Sequence, residues 1–411
     1  MLIHAPVVLP MCSPPIANGA VRVSGTTITG VGPQAELRAL HGEKILRLDG
    51  QILLPGLINA HCHLDYSCMR DAIAPPKSFS AWVKKLNSIK RQLSDADILE
   101  SIARGIEESR MFGTTSVCSM AAFPELMHRM PVSPIRIWWF YEMIDIKHRL
   151  TSEDVVAGAL SFFEHQRDPL CSFGLNPHAP YTASLLLYRL AQACASSNRM
   201  LLTTHVAESA EESAMFKDAR GELYDFLMEL DRPMYDCGHD TPFGWLWRNG
   251  AIGAESILAH MNELEASDFA LLSTLTADSM PQIVHCPGSH AYFGHRKFEF
   301  NRLKELGANI SVGTDSLAST NTLSLLEELR RLSQSNPAMN AHALLETITT
   351  APAKALKQQG KLGCIRTGAF ADMIAVPGSG SLEKACTEVL SHTGRVPWLM
   401  VNGALHHPAG L

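Results

Sequence analysis

The chain has 411 residues, 46% hydrophobic and 18% charged, enough for one large domain with a small accessory unit. A formal net charge of −6 gives no support to a nucleic-acid groove, and the opening stretch MLIHAPVVLPMCSPP, broken by prolines and without a Lys/Arg lead, reads neither as a secretory signal nor as a membrane span. Ten scattered cysteines without a CxxC pair argue against a disulfide framework or a zinc ribbon, so a cytoplasmic small-molecule enzyme with reduced thiols is expected.

Residues 1–54 carry short β-rich runs with turn glycines, VRVSGTTITGVG and KILRLDGQILLPG, and residues 363–411 repeat that texture with ADMIAVPG and WLMVNGAL. These ends are expected to pair into one small β-sandwich domain, discontinuous in sequence. Between them, eight short apolar runs alternate with amphipathic stretches: 57–61, 114–120, 135–143, 171–178, 201–205, 256–260, 283–287 and 309–315. Eight alternations favour a closed α/β architecture, a (β/α)8 TIM barrel over 55–362. In the segment ahead of the second run, Ile98, Ile102 and Ile106 recur every four residues and Gly113 stands as the helix stop.

The residues able to do chemistry gather at the carboxyl ends of these runs. His61 and His63 stand two apart at the end of the first, and such residues on a strand face one side, towards one ion in a barrel mouth. An HxH pair alone is weak evidence, because it recurs by chance. The following segment, 71–92, is long enough to form a lid. There Trp82 is placed to stack on a planar ring or to pack the lid down. Lys84, Lys85, Lys90 and Arg91 read as a solvated helix face, or as a basic edge suited to an anionic substrate. Glu142 ends the third run, where it binds a substrate hydroxyl or pairs with a base on the rim. His205, His260 and Asp315 end later runs, and barrel enzymes draw their catalytic residues from this rim. Each fits an ordinary hydrogen-bonded histidine or a helix-capping aspartate singly, but their recurrence favours a metal site. Cys62, Cys118 and Cys286 lie in apolar runs and read as small buried hydrophobes.

Nearly end to end, PGLINAHCH, HVAES, LAHMNEL, HCPGS, GTDSLAS and GAFADMIAV resemble the amidohydrolase superfamily. Within it, the chain is similar to the branch of adenosine-type, S-adenosylhomocysteine and aminodeoxyfutalosine deaminases and their chlorohydrolase relatives. The resemblance implies one divalent ion, zinc first and iron second, held by His61, His63, His205 and Asp315, with Glu208 as proton shuttle and His260 beside the bound water. Such an ion lowers the pKa of bound water to about 7. Glu208 then protonates a ring nitrogen as hydroxide adds to the amino-bearing carbon, while Asp315 and His260 orient the water. Glu208 also reads as a first-turn helix acid favoured by the helix dipole. Two-metal members carry a modified lysine at the end of the fourth strand; NPHAPYT places His178 there, which implies one metal and a substrate contact. The HxE and PCxxC pattern of a different zinc deaminase fold is absent.

Two departures bear on the substrate. The glutamate that binds ribose hydroxyls in S-adenosylhomocysteine and methylthioadenosine deaminases has no counterpart between Asp71 and Asp95, and His290 replaces the asparagine of the branch's HCPxSN pattern. His285 and His290 are expected to face the pocket, and His295 the loop exterior. The first reading is a metal-dependent hydrolytic deaminase of an aminated purine nucleoside or related heterocycle, carboxylated aminodeoxyfutalosine among the candidates. The second is release of chloride or an alkylamine, or opening of a ring amide; the third is a non-catalytic binding barrel. The expected partner is a small heterocyclic molecule, not nucleic acid or membrane, with a homodimer left open.

Overall fold

In the computed structural model, which describes residues 1–130, 132–146, 150–164 and 168–406, all eight apolar runs are strands. They are β1 (Leu57–Cys62), β2 (Thr114–Ala121), β3 (Arg136–Met143), β4 (Cys171–Pro177), β5 (Leu201–Val206), β6 (Ser256–His260), β7 (Gln282–His285) and β8 (Asn309–Val312). Neighbours in sequence are neighbours in the sheet, and all pair in parallel. The last strand returns to the first: the backbone N–H groups of Thr314 and Asp315 both donate to the His61 carbonyl, at 3.1 and 3.0 Å. Gly313 permits this approach, since a Cβ there would lie 2.6 Å from the His61 carbonyl oxygen. The seam that closes the barrel thus also sets His61 beside Asp315.

β7 and β8 stop short of the expected 287 and 315. Pro287 opens a helix, Pro287–Phe293, because its fixed φ suits a first helical turn and it has no N–H for the ladder. The helix Asp95–Met111 follows the sequence pattern closely. Ser94 and Asp97 form a capping box, Ile98, Ile102 and Ile106 are buried, and Gly113 ends it at φ +88°.

Both termini build a second sheet. Its strands run Ala404–His406, Trp398–Val401, Met373–Pro377, Gln51–Pro55, Leu2–Val8, Ile16–Ser24, Thr27–Pro33, with Ile45–Arg47 also on Leu2–Val8. The termini meet where Met373–Pro377 pairs antiparallel with Gln51–Pro55. Strand alternation divides the buried side chains between two cores: Leu53, Met373, Ala375 and Met400 join the sheet's own, whereas Ile52, Leu54, Ile374, Val376, Leu399 and Val401 join the barrel's. One ion pair fastens the units. Arg136 at the start of β3 donates from Nε to Asp372 at 2.6 Å and from Nη2 to Asn402 at 2.7 Å, with its guanidinium over the Phe370 ring. Both charged side chains are buried, so removing the anion strands the cation. Asp372→Ala is therefore expected to lower stability by about 3–5 kcal/mol; a urea melt within ~1 kcal/mol of wild type would show that the pair is not a fastener.

The expected lid exists as a helix, Phe79–Lys90, capped by Ser78. Its first N–H, of Phe79, donates to Glu211 at 2.5 Å, and the Trp82 indole N–H donates to the Ala318 carbonyl at 3.3 Å. Among the described residues no helix is long and apolar enough to cross a membrane.

Candidate metal centre

His61 lies in β1 and His63 just past it, His205 in β5, His260 at the end of β6 and Asp315 three residues past β8, all buried. Ligand atoms of His61, His63 and Asp315 fall within 4.8 Å of one another, as do those of His61, His205 and His260. The Nε2 atoms of His63 and His205 are 3.3 Å apart. Two nitrogens on a tetrahedral ion at 2.0–2.1 Å stand at about this separation. His63 Nε2 and His61 Nε2 are 3.6 and 3.8 Å from Asp315 Oδ1, while Oδ2 accepts from the Ser319 hydroxyl at 3.1 Å.

Unmet polar atoms show that a cation fits here. Both nitrogens of His61, Nδ1 of His63 and Nε2 of His260 are buried with no hydrogen-bond partner, and ligation would satisfy the His61 Nε2 that faces Asp315. His205 is tautomerically fixed: its Nδ1 meets the His178 carbonyl at 2.7 Å, an oxygen that only accepts, so Nε2 holds the lone pair. Protonation states agree. Burial first, then the neighbouring imidazoles, holds the His61 ring well below the ordinary histidine range; burial pushes His63 and His260 down to about 3, against the pull of Asp315. Burial pushes the Asp315 carboxyl up, but His260, His63, the Ser289 hydroxyl and His205 outweigh it, leaving the group below its usual value. Neutral imidazoles around one carboxylate are what a divalent ion requires.

Glu208 stands beside this cluster, with Oε1 3.7 Å from His260 Nε2. Burial, then the charges of Asp315 and Glu212, pushes its carboxyl well up. Its position is over-determined: the Glu212 carboxylate accepts from the N–H groups of Ala207 and Glu208 at 3.0 and 2.7 Å, and Asn262 donates to the Glu208 carbonyl at 3.1 Å. Ala207, His260, Met261 and Asp315 all hold left-handed backbone, φ 50°, 75°, 51° and 60°. Such residues cost about 1–3 kcal/mol each and persist where surrounding structure enforces them, commonly at active sites.

The cluster opens into a cavity of about 130 Å³. Trp82 and Glu142 line it, as does His178, whose Nδ1 lies 2.6 Å from the Thr182 hydroxyl. Trp82 packs the lid down, pinned to Ala318 and set against Phe79 and Phe293, and it also lines the cavity. His290 is not brought to this wall; its Nε2 meets the Arg296 carbonyl at 2.8 Å, and its ring is 5.2 Å from that of His285. His285 stacks on Phe298 at 4.0 Å and likewise does not line the cavity. His295, expected on the loop exterior, turns inward with Nδ1 3.9 Å from Glu263, because the chain doubles back after the helix Pro287–Phe293. Cys62, Cys118 and Cys286 are buried and burial pushes their thiols up, as inert packing groups require.

The profile of the amidohydrolase family matches residues 52–405. The chain belongs to this family. A 5-methylthioadenosine/S-adenosylhomocysteine deaminase of Pyrococcus furiosus is 28% identical over 373 residues, 88% of this chain and 82% of the relative. An aminodeoxyfutalosine deaminase of Deinococcus radiodurans is 27% identical over 338 residues, 80% and 78% of the two chains. The fold is shared with a zinc-bound adenosine deaminase of Xanthomonas campestris, TM-score 0.82 at 23% identity, over 98% of this chain and 92% of that one.

Several residues of this amidohydrolase's cavity went unnoticed in the sequence. Tyr66 lies in a 3-10 turn, Leu64–Met69, and stacks on the His63 ring at 5.3 Å with 3° between planes. Tyr181 also lines the wall, and Thr182 steadies His178. Glu212 had a legible signal, an acid three residues after Ser209, whose hydroxyl accepts from the Glu212 N–H to cap the helix Ala210–Asp218.

Proposed function

We propose that this amidohydrolase is a metal-dependent hydrolytic deaminase of an aminated purine nucleoside or a related heterocycle. The observation that carries the reading is the placement of a buried Glu208, its carboxyl pushed up by burial, beside the His61, His63, His205 and Asp315 cluster in one cavity. Those four residues would hold one divalent ion, zinc before iron, which when bound brings the pKa of a water to about 7. Glu208 supplies the proton for the ring nitrogen next to the amino-bearing carbon, making that carbon electrophilic. As the conjugate base it takes a proton from the attacking water and passes it to the departing amino group, which leaves as ammonia, and the hydroxyl proton left on the carbon returns to Glu208 as the carbonyl forms. His260, neutral and 3.7 Å from Glu208, orients that water. Trp82 and Tyr66 hold the planar ring, while His178 and Glu142 meet polar groups on it and on the sugar.

Aminodeoxyfutalosine, for which the Deinococcus relative is named, falls in this substrate class. Two units divided near residues 54 and 362, and a cytoplasmic setting that keeps the cysteines reduced, complete the reading. The test is a panel of adenine nucleosides, free bases, cyclic amides and chlorinated triazines given to the zinc-loaded enzyme. Ammonia release from nucleosides, at least about tenfold above other products, is expected; chloride as the main product, or opening of the cyclic amides alone, contradicts it.

A further inference from the structure

The lid's basic residues divide by position. Lys84, Lys85 and Arg91 are exposed, whereas Lys90, half-buried at the end of the lid helix, lines the cavity with the metal-centre residues. No other lysine or arginine does so among the described residues. Its ammonium donates to the Tyr66 hydroxyl at 2.7 Å and lies 5.1 Å from the centres of both the Tyr66 and Phe123 rings. Among the described residues no carboxylate comes within ion-pair distance of it, although Glu142 and Asp65 stand in the same region. A phenol hydroxyl and a neighbouring aromatic ring hold a cation in place without neutralising it. A half-buried ammonium with spare donors and no counterion is a binding site for an anion.

Tyr66 joins it to the reacting centre: the ring stacks on that of His63 at 5.3 Å, and the hydroxyl at its far edge accepts from the Lys90 ammonium at 2.7 Å. A group held by Lys90 is therefore remote from the ring being deaminated. We infer that Lys90 is a specificity-determining residue that selects a nucleoside carrying a carboxylate on the substituent distal to its aminated ring. The inference rests on the deaminase reading above and names the substrate feature that the cavity reads.

The experiment compares two adenine nucleosides that differ only in a 5′ substituent, one ending in a carboxylate and one in its neutral amide, with ammonia release as the readout. Wild-type enzyme is expected to favour the carboxylate in kcat/KM by about 10- to 100-fold, the range of a charge-assisted hydrogen bond, and to lose part of that preference as salt rises. In Lys90→Gln the preference is expected to fall to within about threefold of unity, through KM more than kcat, and to become insensitive to salt; Lys90→Arg restores most of it. A merely structural role would lower both substrates together and leave their ratio unchanged. A wild-type ratio near unity, or a ratio unaltered in Lys90→Gln, overturns the inference while leaving the deaminase reading intact. Ammonia released from neither compound overturns the inference together with the nucleoside form of the deaminase reading.

Discussion

Glu208→Gln is expected to retain close to one bound metal per chain while kcat falls by about 10³- to 10⁴-fold, the contribution of a positioned general acid and base. Glutamine keeps the size and the hydrogen-bonding oxygen of glutamate but carries no transferable proton. The metal measurement matters because a Glu208 carboxylate oxygen, His260 and Asp315 also lie within 4.8 Å of one another, so a ligand role for Glu208 is a concrete rival. Under that rival the variant loses metal and activity together. Under the proton-relay account elemental analysis is unchanged and only turnover collapses. Turnover within tenfold of wild type would remove Glu208 from the chemistry altogether.

His61→Ala is expected to give the opposite pattern. His61 is buried at the seam where β8 meets β1, and neither ring nitrogen has a partner within the protein. Its removal leaves a hole that three remaining groups cannot close, so metal content should fall below about a tenth of an ion per chain and activity by on the order of 10³-fold or more. A thermal readout separates this from unfolding. Zinc is expected to stabilise the wild-type fold by roughly 2.7 kcal/mol at a hundred times its dissociation constant, a rise in melting temperature that His61→Ala should lack. A variant that still melts cooperatively, but without that metal-dependent rise, is the expected result; one that binds zinc as wild type does would exclude His61 as a ligand.

The barrel was legible because each strand is a short apolar run, and four of those runs carry His61, His205, His260 and Asp315 at their carboxyl ends. The lid was legible as a segment but not in its orientation. Trp82, Leu86 and Lys90 are spaced four apart and all line the cavity, so helical periodicity applied to 79–90 separates Lys90 from its exposed neighbours Lys84 and Lys85. Tyr66 lies in a 3-10 turn, where no periodicity marks the inward face. His290 and His295 were harder still. Their directions depend on where β7 ends, and the helix beginning at Pro287 rotates them away from a strand's alternation.

The central claim concerns one place in the molecule, and anomalous diffraction from crystals of zinc-supplemented protein, recorded on both sides of the zinc absorption edge, reports on it directly. The account predicts a single strong peak enclosed by His61, His63, His205 and Asp315. A featureless map at that position, or a peak held by other residues while this cluster stays empty, would contradict it.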